Sequence, residues 1–211
     1  MKALAPIAAV MILIVAACGS SDDDALTADE ALAVGDAYFA ALDATDVDAA
    51  RGLFASDATV IGSLNLEVFF EEWELIGAWD QAQRAVRTVE GCVADQPDGA
   101  PITVTCEWTD HQYIAQAVGA PPVAWTTTIR FDEDGRISAF SEDFGQPDYS
   151  TVNGPFNIWM RASHPEDATK VDCCGGDTVE ESITRGTLRA AYADEWVAYL
   201  DANGCTYTEG C

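Results

Sequence analysis

Histidine, the side chain that ordinarily moves a proton near neutral pH, occurs only twice in this sequence, and its positions limit the chemistry at once. The two histidines are His111, in Thr109-Asp110-His111-Gln112, and His164, in Ser163-His164-Pro165. Asp110 and His111 look like a dyad, but neighbours on a strand point to opposite faces, so they are not expected to act as one. His111 reads as a polar residue at a strand end and stays a candidate acid or base. His164 precedes a proline and reads as a turn. Neither histidine lies at ligand spacing from a cysteine pair, so no metal site and no cofactor is expected. There is no Gly-rich phosphate loop and no nucleophile elbow, and Asp132-Glu133-Asp134-Gly135 is too short for a calcium loop. Trp73, Trp79, Trp108, Tyr113 and Trp125 can line an apolar pocket, although core packing explains them equally well.

The seven cysteines divide into one and six. Residues 3–17 form an apolar run behind Lys2, shorter than the roughly 20 residues that span a bilayer and of the size of a signal-peptide core. Its end, Val15-Ala16-Ala17-Cys18, resembles the bacterial lipobox, in which the cysteine is acylated and becomes the mature N-terminus. That resemblance implies a signal peptide over 1–17 and a lipid anchor on Cys18; the alternatives are an uncleaved anchor helix or a plain secretory signal. Gly19-Ser20-Ser21-Asp22-Asp23-Asp24 suits a flexible tether over 18–26. An exported chain meets an oxidising compartment, so Cys92, Cys106, Cys173, Cys174, Cys205 and Cys211 are expected to form three disulfides. Cys92 and Cys106 flank two extended runs about a Pro-Asp-Gly turn, which favours a cross-strand bridge. Adjacent Cys173 and Cys174 are expected to reach Cys205 and Cys211.

Ten basic against thirty-six acidic residues give a formal charge of −26. No basic patch is available to neutralise phosphates, which excludes nucleic acid and disfavours anionic lipid headgroups. The plain reading of the acidity is a soluble, exported surface; a cationic ligand is the alternative. Membrane attachment is left to Cys18, and a homodimer is left open.

Roughly 185 residues beyond the tether are enough for one domain with a proper core and an extension. Thr27-Ala28-Asp29-Glu30 is a capping box opening a helix with Leu32, Gly35, Phe39 and Leu42 on one stripe. Asp46 caps a short helix through Phe54, a brief strand covers Ala58 to Gly62, and Val68, Phe69, Trp73, Ile76 and Trp79 mark a third helix. The period then changes to two: strands are expected at Val86 to Ala94, Ile102 to Ala117, Val123 to Phe131 and Arg136 to Phe144. Helices ahead of an antiparallel sheet indicate an α+β fold. A short helix around Phe156 to Ala168 and a long one after the capping box Thr178-Val179-Glu180-Glu181, carrying Ile183, Leu188, Tyr192, Trp196 and Leu200, complete the chain.

Two blocks, Ala37 to Val60 and Ile129 to Phe140, carry a resemblance to the nuclear-transport-factor-2-like superfamily, near its ketosteroid-isomerase and SnoaL-like branches. The resemblance covers about Thr27 to Asp148 and implies a cone, in which a curved antiparallel sheet wraps three N-terminal helices around an apolar pocket. It sets a domain over 27–149 and a disulfide-stapled helical extension over 150–211. In the isomerase a carboxylate moves the proton while a tyrosine and a protonated aspartic acid stabilise the oxyanion. The tyrosine position falls on Tyr38, the base on Gly62 and the second donor on Thr127. One of three groups is present, and the base is missing. The cyclase-like branch often carries acids or histidines just after the glycine-basic-isoleucine block, positions that here are Ala139, Phe140 and Ser141; acids appear only at Glu142 and Asp143, of which alternation admits at most one to the pocket, the alternative being a solvated strand end.

These observations favour a lipid-anchored, extracytoplasmic protein of the bacterial envelope that binds a small hydrophobic ligand without converting it. Its pocket is expected to include Tyr38, Trp73, Trp79, Tyr113 and Trp125. The alternative is a SnoaL-like isomerase, cyclase or epoxide hydrolase, with Tyr38, His111, Glu142 and Asp143 as candidates. A polar cluster beside Tyr38 is what separates the two.

Overall fold

A computed structural model describes residues 26–97, 100–145, 149–171 and 176–208. The expected signal peptide and most of the expected tether, with Cys18, and Cys173, Cys174 and Cys211 lie outside the described residues. Among the described residues no helix is long and apolar enough to cross a membrane.

Three helices lead. In α1 (Ala28–Ala44) the Thr27 side chain accepts from Glu30 N while the Glu30 carboxylate accepts from Thr27 N, so the expected capping box closes. The helix stops where Thr45 turns left-handed at φ 51°. Asp46 caps α2 (Val47–Gly52), and Asn65 caps α3 (Leu66–Ala82). Between them β1 (Phe54–Val60) begins four residues before the expected Ala58, because α2 ends at Gly52 and the chain enters the sheet at once.

The remaining strands, β2 (Val86–Asp95), β3 (Thr103–His111), β4 (Val123–Phe131) and β5 (Ile137–Phe144), form an antiparallel meander. β1 joins its far edge parallel to β5, giving the order β1-β5-β4-β3-β2 with no closure. Register shifts in the β2–β3, β4–β5 and β1–β5 pairs bend the sheet, as bulges do. This is the α+β cone that the resemblance implies. α1 lies in its concavity so closely that a Cβ on Gly35 would meet Val104 at 3.3 Å. The core joins Tyr38, Phe39, Phe54 and Phe70 to Val104, Trp108, Ile129 and Phe140.

Cys92 and Cys106 are opposite each other in the β2–β3 register and are disulfide-bonded. Cys205 is also disulfide-bonded. Peptide mapping of the non-reduced protein is expected to recover Cys92 and Cys106 in one cross-linked species; a free thiol at either would remove the bridge.

The strand expected to run on to Ala117 ends at His111. After Gln112 the chain coils into α4 (Tyr113–Ala117), whose Ile114 and Ala115 join a second core with α5 (Ser150–Ser163) and α6 (Val179–Asn203). That core therefore draws on residues inside 27–149 as well as on the extension. α6 packs along α3 and α4 rather than on the sheet. Its N-terminus departs from a capping box: Thr178 accepts from Glu181 N, but the Glu181 carboxylate takes Asp177 N and Arg185 instead. Ile183 is 47% exposed, whereas Gly186 and Arg189 face inward. Arg189 is held by the Val171 carbonyl and Asn153 Oδ1, both at 2.6 Å.

Candidate functional site

The concave face of the sheet, α1 and α3 enclose a cavity of about 410 Å³. Alternation along the strands decides what enters it: Trp108 and Asp110 from β3, Trp125 from β4, and Phe140, Glu142 and Phe144 from β5. On α3, Trp73, Gly77 and Asp80 recur at helical spacing on the facing side.

Tyr38, Trp73, Trp79 and Trp125 line the cavity. Tyr113 does not. Because the strand stops before it, its ring lies on α4 under the Arg84 guanidinium, 4.0 Å from the ring centre, and its hydroxyl donates to Asp194 at 2.5 Å. His111 also turns away, its Nε2 lying 2.9 Å from the Ala120 carbonyl. His164 rests against Tyr192 and Glu195 between α5 and α6. Glu142 and Asp143 separate as alternation requires: Glu142 points into the cone, Asp143 out to solvent.

Glu142 is the centre of the polar cluster. Its Oε1 accepts from Thr127 Oγ1 at 3.2 Å and from the Tyr38 hydroxyl at 3.4 Å. Trp108 Nε1 donates to Thr127 Oγ1 at 2.9 Å, and Trp73 Nε1 donates to the Tyr38 hydroxyl at 3.3 Å. Both hydrogen bonds fall on the same carboxylate oxygen, and Glu142 lines the cavity. Burial pushes the Glu142 carboxyl up to about 7, opposed by the Thr127 hydrogen bond, the charge of Arg87 and the Tyr38 hydrogen bond. Burial and the nearby Glu142 charge hold the Tyr38 hydroxyl well above its ordinary range, so it remains a neutral donor. Tyr38 on α1 and Thr127 on β4 thus converge on a carboxylate supplied by β5. Gly62 lines the same cavity.

A second polar group stands where β3 ends. Tyr149, just ahead of α5, donates to Asp110 Oδ2 at 2.5 Å and accepts from Trp125 Nε1 at 3.0 Å. Arg87 reaches Asp80 and Asp43, each at 3.4 Å, and lies over the Trp108 ring. Burial raises the Asp110 carboxyl, and burial with the charge of Asp110 raises that of Asp80. Asp110 Oδ1, Gln112 Oε1, Trp79 Nε1 and Arg87 Nε are buried without a hydrogen-bond partner.

Sequence reasoning passed over Asp80, Arg87, Asp110 and Tyr149 as site residues. The inward series Val104, Cys106, Trp108 ends in Asp110, and the α3 series Trp73, Gly77 ends in Asp80. A charge closing an otherwise apolar stripe was the signal. Tyr149 gave none, because its reach depends on where α5 docks.

No family model matches the chain, and no curated protein matches it. Among solved structures it is similar to a cystatin-like-fold protein of unknown function from Methylobium petroleophilum, at 14% identity over 61% of this chain and 84% of that one, TM-score 0.45. A candidate ketosteroid isomerase from Kribbella flavida is 13% identical over 57% of this chain and 82% of its own, TM-score 0.43. A candidate polyketide cyclase from Sinorhizobium meliloti is 22% identical over 53% and 94%, TM-score 0.38. These are likenesses of fold, and the chemistry of the site rests on its own geometry.

Proposed function

We propose that the cone binds a small, mainly apolar molecule and moves a proton on it, with Glu142 as the general base. The observation that carries this is the Glu142 carboxyl itself: it lines an aromatic cavity and is anchored through one oxygen by Tyr38 and Thr127. A base is most useful when it ionises near the working pH, and burial brings this carboxyl to about 7. Removal of a proton from carbon is the step shared by isomerase, cyclase and dehydratase chemistry, and the site needs no metal to begin it.

Nitrobenzisoxazole is a suitable probe. A base takes its ring C–H proton, the N–O bond breaks, and a coloured cyanophenolate is released. Ring opening by the protein is expected to exceed that by acetate at equal concentration and to rise with pH through about 7. A rate equal to acetate, or flat across that range, would overturn the base assignment and leave binding alone, a reading that the aromatic cavity of about 410 Å³ supports by itself.

The same proposal places the protein at the bacterial cell envelope, outside the cytoplasm, held by lipid on Cys18. Labelling of cells with a fatty-acid analogue is expected to mark the wild type and to fail with Cys18→Ser. Persistent label on the variant would refute the anchor.

A further inference from the structure

Glu142 is held in the aromatic cavity by two hydroxyls, and each hydroxyl is itself held by an indole. Trp108 Nε1 donates to Thr127 Oγ1 and Trp73 Nε1 to the Tyr38 oxygen, while both hydroxyls donate to Glu142 Oε1. The direction of these bonds is fixed by chemistry. An indole N–H can only donate, so each hydroxyl accepts from its tryptophan, and its single proton is left for the carboxylate. One chain thus runs from β3 through β4 and the other from α3 through α1, and both close on one oxygen of β5. Tyr38 and Thr127 are fully buried and Trp73 and Trp108 nearly so, which leaves bulk water no place as a rival partner for either hydroxyl.

We propose that Trp73 and Trp108 are positioning residues for the base: each locks the proton of its neighbouring hydroxyl onto Glu142 Oε1, and the two locked donors together keep a carboxylate ionisable inside an aromatic cavity. This deepens the reading of Glu142 as a base and rests on it for its catalytic meaning; the chains themselves govern the ionisation of Glu142 whether or not the ligand is converted. Donors in series polarise one another, and a hydrogen bond to the charged form of an acid favours that form. The Thr127 bond accordingly stands first among the influences that oppose the burial of Glu142. Other charged and titratable groups line the cavity with it: Glu72 and Asp80 on α3, Arg87 on β2, Asp110 on β3 and Tyr149 ahead of α5. Arg87, paired with Asp43 and Asp80, also favours the ionised form. None of these is altered in the variants below, so a moved midpoint reports the chains.

The test reads Glu142 directly, through the carbon NMR signal of its carboxyl, identified by its loss in Glu142→Gln, and through the indole N–H signals of the same protein. In the wild type the carboxyl is expected to titrate with a midpoint of about 7, and the Trp73 and Trp108 indole signals to move with that same midpoint. The signal of Trp196, in the second core, is expected to stay still. Trp108→Phe keeps an aromatic ring but removes the donor, and should raise the carboxyl midpoint by about half a pH unit. Thr127→Val should raise it by about one pH unit or more, and Thr127→Ser, which keeps the hydroxyl, should leave it near the wild-type value. A purely structural role for the indoles would lower stability and leave the midpoint where it is. Indole signals that ignore the Glu142 titration in the wild type overturn the proposal whatever the folding of the variants, and so does an unmoved or lowered midpoint in Trp108→Phe. No turnover is involved. Ring opening no faster than acetate therefore removes the base reading and leaves this outcome standing, and still indole signals beside a fast, pH-dependent ring opening do the reverse.

Discussion

Glu142→Gln is expected to lower the ring-opening rate of nitrobenzisoxazole by about 10² to 10⁴ and, in the same protein, to raise stability above pH 7. The two effects share one cause. The carboxyl is removed from water by Phe140 and Trp73 and the rest of the aromatic wall, and Tyr38 and Thr127 compensate through only one oxygen. Its folded value of about 7 lies above the ordinary 4.5. The folded state therefore binds the proton more tightly than the unfolded chain, so the favourable contribution is complete below the ordinary value and is lost as pH rises toward 7. That interval corresponds to on the order of 3 kcal/mol. Glutamine keeps the shape and carries no charge, so the variant should match the wild type near pH 4 and exceed it at pH 8. Asp80 shifts in the same direction and remains in both proteins, which is why the difference between them is the informative quantity. Denaturant titrations at the two pH values measure it. A stability difference independent of pH would mean that Glu142 is a solvated carboxylate, and a retained rate would mean that another residue supplies the base.

How much of this site was legible in the sequence depends on the range of the interaction involved. The capping box at Thr27 and the Asp46 cap were read with little error because they are set by neighbours in the chain, as is the turn at Asp132, whose Oδ1 accepts from Asp134 N and Arg136 N. The opposition of Glu142 and Asp143 followed from alternation, as did the separation of Asp110 from His111. What alternation cannot supply is the identity of the partner across the cone. Tyr38 and Glu142 lie 104 residues apart, and nothing local marks the pair. The reading of Tyr113 failed for a related reason. Tyr113-Ile114-Ala115 continues a plausible strand pattern, and only the docking of α6, which offers Asp194 to the tyrosine and a core to Ile114, favours a helical turn there. The lean toward a ligand without chemistry rested on Gly62 and Thr127 standing where the isomerase has its acids and on reading Glu142 and Asp143 as a solvated strand end; catalytic groups can be supplied from any inward position of a shared scaffold.

The extension is part of the same packing, and Gly186 is where that can be tested most severely. A Cβ at this position would stand 2.5 Å from the Trp79 carbonyl oxygen, 2.8 Å from Ala82 Cβ and 3.2 Å from Gln83 N. Two of these neighbours are backbone, and a helix backbone cannot step aside as a flexible side chain can. Gly186→Leu is therefore expected to cost about 3 kcal/mol or more, despite the roughly 1 kcal/mol that replacing a mid-helix glycine ordinarily gains. For a chain of this size that is a fall in Tm of roughly 6–12 °C. Gly52, the last residue of α2, has nothing within 4 Å of its Cβ position, so Gly52→Ala should be neutral or mildly stabilising. The contrast removes any general effect of losing a glycine. Because Trp79 lines the cavity and lies against α6 at this contact, its emission should also change in Gly186→Leu at temperatures below the main transition. A variant that melts with the wild type and keeps its emission would show that α6 is only loosely laid on α3, and that the cone holds its cavity without the extension.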